Sequence, residues 1–220
     1  MSFPFAIVGF DLDGTLLDTS RDLAAAANAA LAAGGRGPLP VEAVLARVGG
    51  GTRNMLAGVL EVSGGATAAE VDRLLPVLLA HYEANMTVHT RPYPGVVGAL
   101  DALIARGVTL AVVTNKLEGF ASTLLAATDL RDRFACVIGG DTLPVGKPAP
   151  DGIVEMVRRC GGGRAAFVGD SIYDVRAATA AGVPVIACRF GFSPDEVDSL
   201  GADAVIDDFA ALVPALERLG

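Results

Sequence analysis

Asp11 and Asp13 stand two residues apart at the end of an apolar run in FAIVGFDLDGTLLDT (residues 5–19), with Gly14 and Thr15 directly after them. Phe5 to Phe10 reads as a strand buried on both faces, as in a parallel sheet. A carboxylate taken out of water is unfavourable unless it is paired, hydrogen-bonded or metal-bound, so two at one strand end point to chemistry rather than packing. Later apolar runs also end in polar groups: Thr114 and Asn115, Asp141, and Asp170. Lys147 follows Asp141 in VGKPAPD, and Asp174 follows Asp170 in GDSIYD. A single strand-end Asp reads as a helix cap or turn former. Four such ends read as one site, because open parallel sheets build their sites beyond the carboxyl ends of the strands.

The elements that must hold these residues are legible as short apolar runs: VTLAVVTN (108–115), FACVIGGD (134–141), AAFVGD (165–170), VPVIACRF (183–190) and ADAVIDD (202–208). Helical segments are expected between them, near 95–106, 118–128, 150–160, 172–181 and 208–219. Strands alternating with helices predict βαβ units, an α/β fold with a Rossmann-like, doubly wound parallel sheet. Gly182 reads as a helix stop, with Pro184 opening the next strand. Residues 20–89 break the rhythm with four helix-like stretches and no strand-like one. The expected organisation is a core of residues 1–18 and 90–220 with an inserted α-helical cap domain at 19–89. Tyr93-Pro94-Gly95 reads as the turn leading back into the core.

The chain has 220 residues, 52% hydrophobic and 19% charged, which suits a well-buried globular protein rather than a disordered one. Its 17 basic and 25 acidic side chains give a net charge of −8. That balance disfavours nucleic acid and anionic membrane as partners, since both need cationic patches, while leaving room for a small anionic substrate. No apolar stretch approaches the ~18 residues of a membrane span, and no signal-peptide pattern opens the chain. Cys136, Cys160 and Cys188 read as free thiols in a cytoplasmic protein. The sequence is compatible with a monomer or a homodimer.

DLDGTL, TNK, GKPAPD and GDSIYD resemble, in order and at suitable separations, the four motifs of the haloacid dehalogenase-like (HAD) superfamily. The match spans the whole core, and the helical insert sits where that superfamily places its first type of cap. GFDLDGTLLDT, TNK, KPAPD and GDSIYDVRAATAAG together look most like its phosphoglycolate phosphatase branch.

The resemblance implies roles. Asp11 would be the nucleophile, forming an aspartyl phosphate. Asp13 would be the general acid and then the base; two residues apart in extended chain, both side chains can project the same way. Gly14 would let the backbone turn beside the phosphoryl group, and Thr114, Asn115 and Lys147 would bind its oxygens. Asp11, Asp170 and the backbone carbonyl of Asp13 would hold Mg²⁺, which prefers oxygen ligands. Asp174 would support that set or orient Lys147. With Asp13 protonated, Asp11, Asp170 and a phosphate dianion sum to −4. Each like-charge pair at ~4 Å costs ~4 kcal/mol at an effective dielectric of ~20, so the site would repel its substrate. Mg²⁺ and Lys147 bring the sum to −1.

The implied activity is hydrolysis of small phosphomonoesters, with 2-phosphoglycolate first and other phosphorylated acids or sugar phosphates next. A phosphomutase of the β-phosphoglucomutase kind shares Asp13 and a similar cap. Phosphonoacetaldehyde hydrolase would need a cap lysine, and residues 20–89 contain none. The non-enzyme alternatives are a phosphoacceptor receiver domain, which would lack the insert, and a partner-binding pseudo-phosphatase. GGDTLPVGKP is not a P-loop, because Pro148 follows the lysine where Ser or Thr is required. VGGGTR (48–53) reads either as an interhelical turn or as a cap loop whose Arg53 meets the substrate's distal carboxylate. Lys116 could touch substrate, but it reads first as a solvated lysine opening a helix, and His81 and His89 read as surface or interdomain residues.

Overall fold

The computed structural model describes residues 3–193 and 196–220. The chain divides into two compact units, Met1–Asp18 with Pro92–Gly220, and Thr19–Arg91. It opens with β1 (Ile7–Phe10) and the two-residue β2 (Leu17–Asp18). The second unit then holds α1 (Ser20–Ala33), α2 (Val41–Leu45), α3 (Thr52–Val62) and α4 (Ala68–Asn85). β3 (Arg91–Pro92) pairs with β2 in a two-stranded ladder. The remainder alternates: α5 (Val96–Ile104), β4 (Thr109–Val113), α6 (Glu118–Ala127), β5 (Cys136–Ile138), α7 (Asp151–Arg159), β6 (Ala165–Gly169), α8 (Ile172–Ala180), β7 (Val185–Cys188), β8 (Ala204–Ile206) and α9 (Leu212–Leu219).

The main sheet has six parallel strands in the order β5-β4-β1-β6-β7-β8. Side chains alternate between its faces. Ile7, Ala111, Val113 and Phe167 point into a cluster with Ile153 and Met156 of α7 and Val175 of α8. Val8, Phe10, Leu110, Val112 and Val168, which fall on the other face, are equally buried. Burial on both faces is why the strands read as continuous apolar runs. Gly9 interrupts β1 for a packing reason. A methyl group there would run into Met156 Sδ and Phe167, so its absence lets α7 lie close over the central strand.

β1 lies between β4 and β6, with Phe10 in register with Val112 on one side and Val168 on the other. Chain order therefore proceeds outward in both directions from β1, the switch point at which open sheets form clefts. Strands are ~4.8 Å apart. Whatever follows Phe10, Val113 and Gly169 must therefore converge: these are Asp11, Thr114 and Asp170.

The helical unit has its own core, with Leu23, Ala27, Ala30 and Leu31 of α1 buried, as are Leu74, Leu78 and Tyr82 of α4. Thr67 caps α4 by accepting the Glu70 N–H at 3.2 Å. Asp22, buried in α1, accepts the backbone N–H groups of His89 and Thr90 at 2.9–3.1 Å. This ties the end of the unit to its beginning. His81 is half-buried and His89 exposed. Among the described residues, no helix is long and apolar enough to cross a membrane.

Candidate active site

Behind β1 the chain folds back at once. Leu12 carbonyl accepts from the N–H groups of Leu16 and Leu17, each at 3.0 Å, and Gly14 N–H donates to Leu17 carbonyl at 3.0 Å. Gly14 has φ +80°, and a Cβ on it would strike Asp170 Oδ2. Its lack of a side chain thus serves two ends, a left-handed turn and close approach to a carboxylate.

Asp11, Lys147, Asp170 and Asp174 converge in a buried cluster. Lys147 Nζ lies 2.9 Å from Asp11 Oδ1 and 2.5 Å from Asp174 Oδ1, with its side chain only 2% exposed. Asp174 uses Oδ2 to accept from Ser171 Oγ at 2.6 Å and from the N–H groups of Ser171 and Asp170 at 3.0 and 3.3 Å. That is a capping box at the start of α8. Asp170 is held by the Thr15 hydroxyl at 3.1 Å and by Phe192 N–H at 2.9 Å. Carboxylate oxygens of Asp11, Asp170 and Asp174 lie within 4.8 Å of one another.

Electrostatics make this cluster incomplete on its own. Burial, with the neighbouring Asp174 and Asp13 charges, raises the Asp11 carboxyl to about 6 despite the Lys147 ammonium beside it. Burial first, then Asp174 and Asp11, pushes Asp170 well above the ordinary carboxylate range. Burial works against the Lys147 charge too, but Asp11 and Asp174 outweigh it and raise its pKa. Three carboxylates around one ammonium leave a deficit of positive charge, and every donor is an oxygen. These residues fit a hard divalent cation. Asp174 meets Lys147 Nζ with one oxygen and three hydrogen-bond donors with the other, whereas Asp170 accepts one hydrogen bond on each oxygen, so Asp11 and Asp170 keep the lone pairs to ligate and Asp174 stands behind them.

Three sequence expectations need correction or refinement. Lys116, expected in solvent, has a 4% exposed side chain and forms an ion pair with Asp13 Oδ2 at 2.8 Å. Asn115, expected to donate to a phosphoryl oxygen, also uses its side-chain amide within the protein: Nδ2 donates to Lys147 carbonyl and Oδ1 accepts Lys147 N–H, each at 2.8 Å. It clamps the backbone of the loop that delivers Lys147. Asp141 is no part of the cluster, and accepts the N–H of Glu118 at the start of α6 at 2.8 Å. Thr114 is buried, with Oγ1 accepting Lys116 N–H at 3.3 Å. Arg53 lies in α3 of the helical unit, where its guanidinium meets Asp72 at 2.6 Å with both side chains at least half exposed. Thr15 and Phe192 were not singled out as partners of Asp170. Thr15 carries a signal in DLDGT, whereas a backbone donor such as Phe192 N–H carries none.

Comparison with known proteins gives the same arrangement a context. Residues 5–182 match the family model described as haloacid dehalogenase-like hydrolase. A phosphoglycolate phosphatase of Agrobacterium fabrum is 42% identical over 216 residues, covering 97% of this chain and 92% of that protein. One from Mesorhizobium japonicum is 40% identical, covering 97% and 96%. A crystal structure described as a predicted phosphoglycolate phosphatase from Haemophilus somnus superposes with a TM-score of 0.90 at 30% identity, over 96% of this chain and 97% of that one. With motifs, topology and length all matched, the chain belongs to the haloacid dehalogenase-like hydrolase family.

Proposed function

We propose that this protein is a Mg²⁺-dependent phosphatase of small phosphomonoesters, with 2-phosphoglycolate as its first substrate. The observation that carries the reading is the Asp11–Lys147–Asp174 relay beside Asp170, with Asp13 two residues from Asp11. The substrate is the one named for relatives at about 40% identity over nearly the full chain.

The steps follow from the residues. An Asp11 carboxylate oxygen attacks phosphorus while the ester P–O bond breaks, and the leaving alkoxide takes its proton from Asp13. Asp13, now a base, removes a proton from the water that attacks the aspartyl phosphate. Inorganic phosphate leaves and Asp11 is regenerated. Lys147 lies against Asp11, where its charge can stabilise the phosphoryl oxygens as negative charge spreads over them. Mg²⁺ held by Asp11, Asp170 and the Asp13 carbonyl would supply the remaining positive charge. Adding Asp174 and Lys116 to the count leaves the sum unchanged at −1, because they cancel.

The test is a panel of phosphorylated acids and sugar phosphates assayed with Mg²⁺ and with EDTA, alongside Asp11→Asn. Turnover that needs Mg²⁺ and falls by about 10⁴-fold or more in the variant supports the reading. Undiminished turnover by folded Asp11→Asn would refute it. Arg53 is our candidate for the substrate's carboxylate: Arg53→Ala should raise KM for 2-phosphoglycolate and leave that for p-nitrophenyl phosphate unchanged. Three free cysteines suit a cytoplasmic location.

A further inference from the structure

We propose that Lys116 is the positioning residue for Asp13 in both proton transfers. The inference rests on the phosphatase reading above and concerns a lysine with no role in it. Lys116 Nζ and Asp13 Oδ2 are 2.8 Å apart, the residues are 103 positions apart in sequence, and their side chains are 4% and 12% exposed.

An ammonium is costly to remove from water and persists in such a place only when paired. The pairing here is with the group that must hand a proton to the leaving oxygen and then take one from water. Proton transfer is steep in geometry: acid and acceptor must come within about 2.6–3.2 Å. An Asp side chain at the tip of a loop can rotate about two bonds. Anchoring Oδ2 on a fixed ammonium removes that freedom and sets the plane of the carboxyl group, and with it the direction of the other oxygen.

The anchor is itself fixed from the backbone. Lys116 N–H donates to Thr114 Oγ1 at 3.3 Å, and Lys116 carbonyl accepts Gly140 N–H at 2.8 Å. Its neighbour Asn115 is locked to the Lys147 loop. The two lysines therefore divide the aspartates between them: Lys147 takes Asp11 and Asp174, and Lys116 takes Asp13. A solvated lysine at this position would instead leave Asp13 without this ammonium anchor.

The distinguishing measurement is leaving-group dependence. An alkoxide, as from 2-phosphoglycolate, needs the Asp13 proton to depart, whereas p-nitrophenolate departs without one. Lys116→Met should lower kcat for 2-phosphoglycolate by about 10²-fold or more, with KM changed little. In rapid-quench experiments with p-nitrophenyl phosphate, the same variant should still release a first equivalent of p-nitrophenolate quickly and then stall as phosphoenzyme. Lys116→Arg should recover much of the lost rate. In an Asp13→Asn background, Lys116→Met should cost almost nothing further, since both changes remove one function. Lys116→Gln, which keeps a donor without the charge, runs in parallel in case the methionine variant does not fold.

Equal loss of the first and later turnovers on both substrates, additive losses in the double variant, or unchanged kcat on 2-phosphoglycolate would each overturn the inference. Failure of wild-type protein to form any phosphoenzyme would instead overturn the phosphatase reading beneath it. The two failures are therefore separable.

Discussion

Asp174 presents one oxygen to Lys147 Nζ at 2.5 Å and the other to the first turn of α8, so a single carboxylate joins a lysine from the loop after β5 to the helix after β6. No solvent reaches it; Asp174 is 0% exposed. The pair is a hinge-free joint between two segments that the chain separates by 27 residues. Lys147 is thereby aimed at Asp11 before any substrate arrives.

Removing that joint should be costly. Asp174→Leu leaves a buried ammonium with only Asp11 beside it and strips the capping box from α8. We expect a loss of about 3–5 kcal/mol in urea unfolding, the range for breaking a buried pair from one side. Asp174→Asn keeps a hydrogen-bond acceptor and should lose less, about 1–3 kcal/mol. Equal, small losses for both would show that Lys147 is held in place by something else.

Stability should fall with rising pH when cations are withheld. The Asp11 carboxyl titrates at about 6 in the folded chain against 3.8 as the reference, and Asp170 is raised in the same direction. A carboxyl whose pKa is raised on folding favours the folded state below its unfolded value. That contribution disappears as pH rises through the folded value. In EDTA, the melting temperature should therefore decline from about pH 4 to above about pH 6. A divalent ion binds the charged carboxylates, so the rise in melting temperature on adding Mg²⁺ should be larger at about pH 7.5 than at about pH 5. A Mg²⁺ effect independent of pH would contradict ligation by Asp11 and Asp170.

Gly14→Ala should be severe for a residue so small. The backbone there is left-handed, and the new methyl group would overlap Asp170 Oδ2. Strain of about 1–2 kcal/mol is expected from the conformation alone, with Asp170 displaced besides. The measured outcome should be a drop in kcat and weaker Mg²⁺ dependence together. A variant with normal Mg²⁺ affinity would show that Asp170 had not moved.

What could be read in advance follows a physical divide. The six strands of the main sheet were legible because parallel strands are buried on both faces, which leaves runs such as AAFVG and TLAVV nearly free of polar residues. Asp11 and Asp170 were legible because they follow strand ends, and Lys147 because GKPAPD resembles a family motif. Lys116 was not. Whether a lysine opening a helix meets water or a carboxylate depends on Asp13, which only the β1–β4 pairing brings near. The clamp between the Asn115 amide and the Lys147 backbone was not legible for the same reason, as the two residues lie 32 positions apart. β2 and β3 escaped notice because two-residue strands have no period to detect. FACVIGGD produced only a three-residue strand, because Gly139 N–H leaves the sheet to bond Thr142 Oγ1 at 2.8 Å.

The three cysteines should be slow to react in the native protein. Cys136 Sγ and Cys160 Sγ lie 4.0 Å apart, half-buried and unbridged. Burial, with its thiol neighbour adding to it, pushes Cys160 up to about 12, and burial likewise raises Cys136. Cys188, fully buried on β7, is raised well above the ordinary thiol range by burial and then by Asp170, Asp174 and Asp11. The thiolate is the reactive form. At about pH 8, a thiol titrating near 12 is ionised on the order of once in 10⁴ molecules. Labelling with a thiol-specific disulfide reagent should therefore proceed slowly in native protein and reach all three cysteines promptly in denaturing guanidinium. Cys188 should be the last to react, at a rate set by opening of the core rather than by thiol ionisation. Immediate labelling of Cys188 would mean that β7 is far more open to solvent than its packing between β6 and β8 allows.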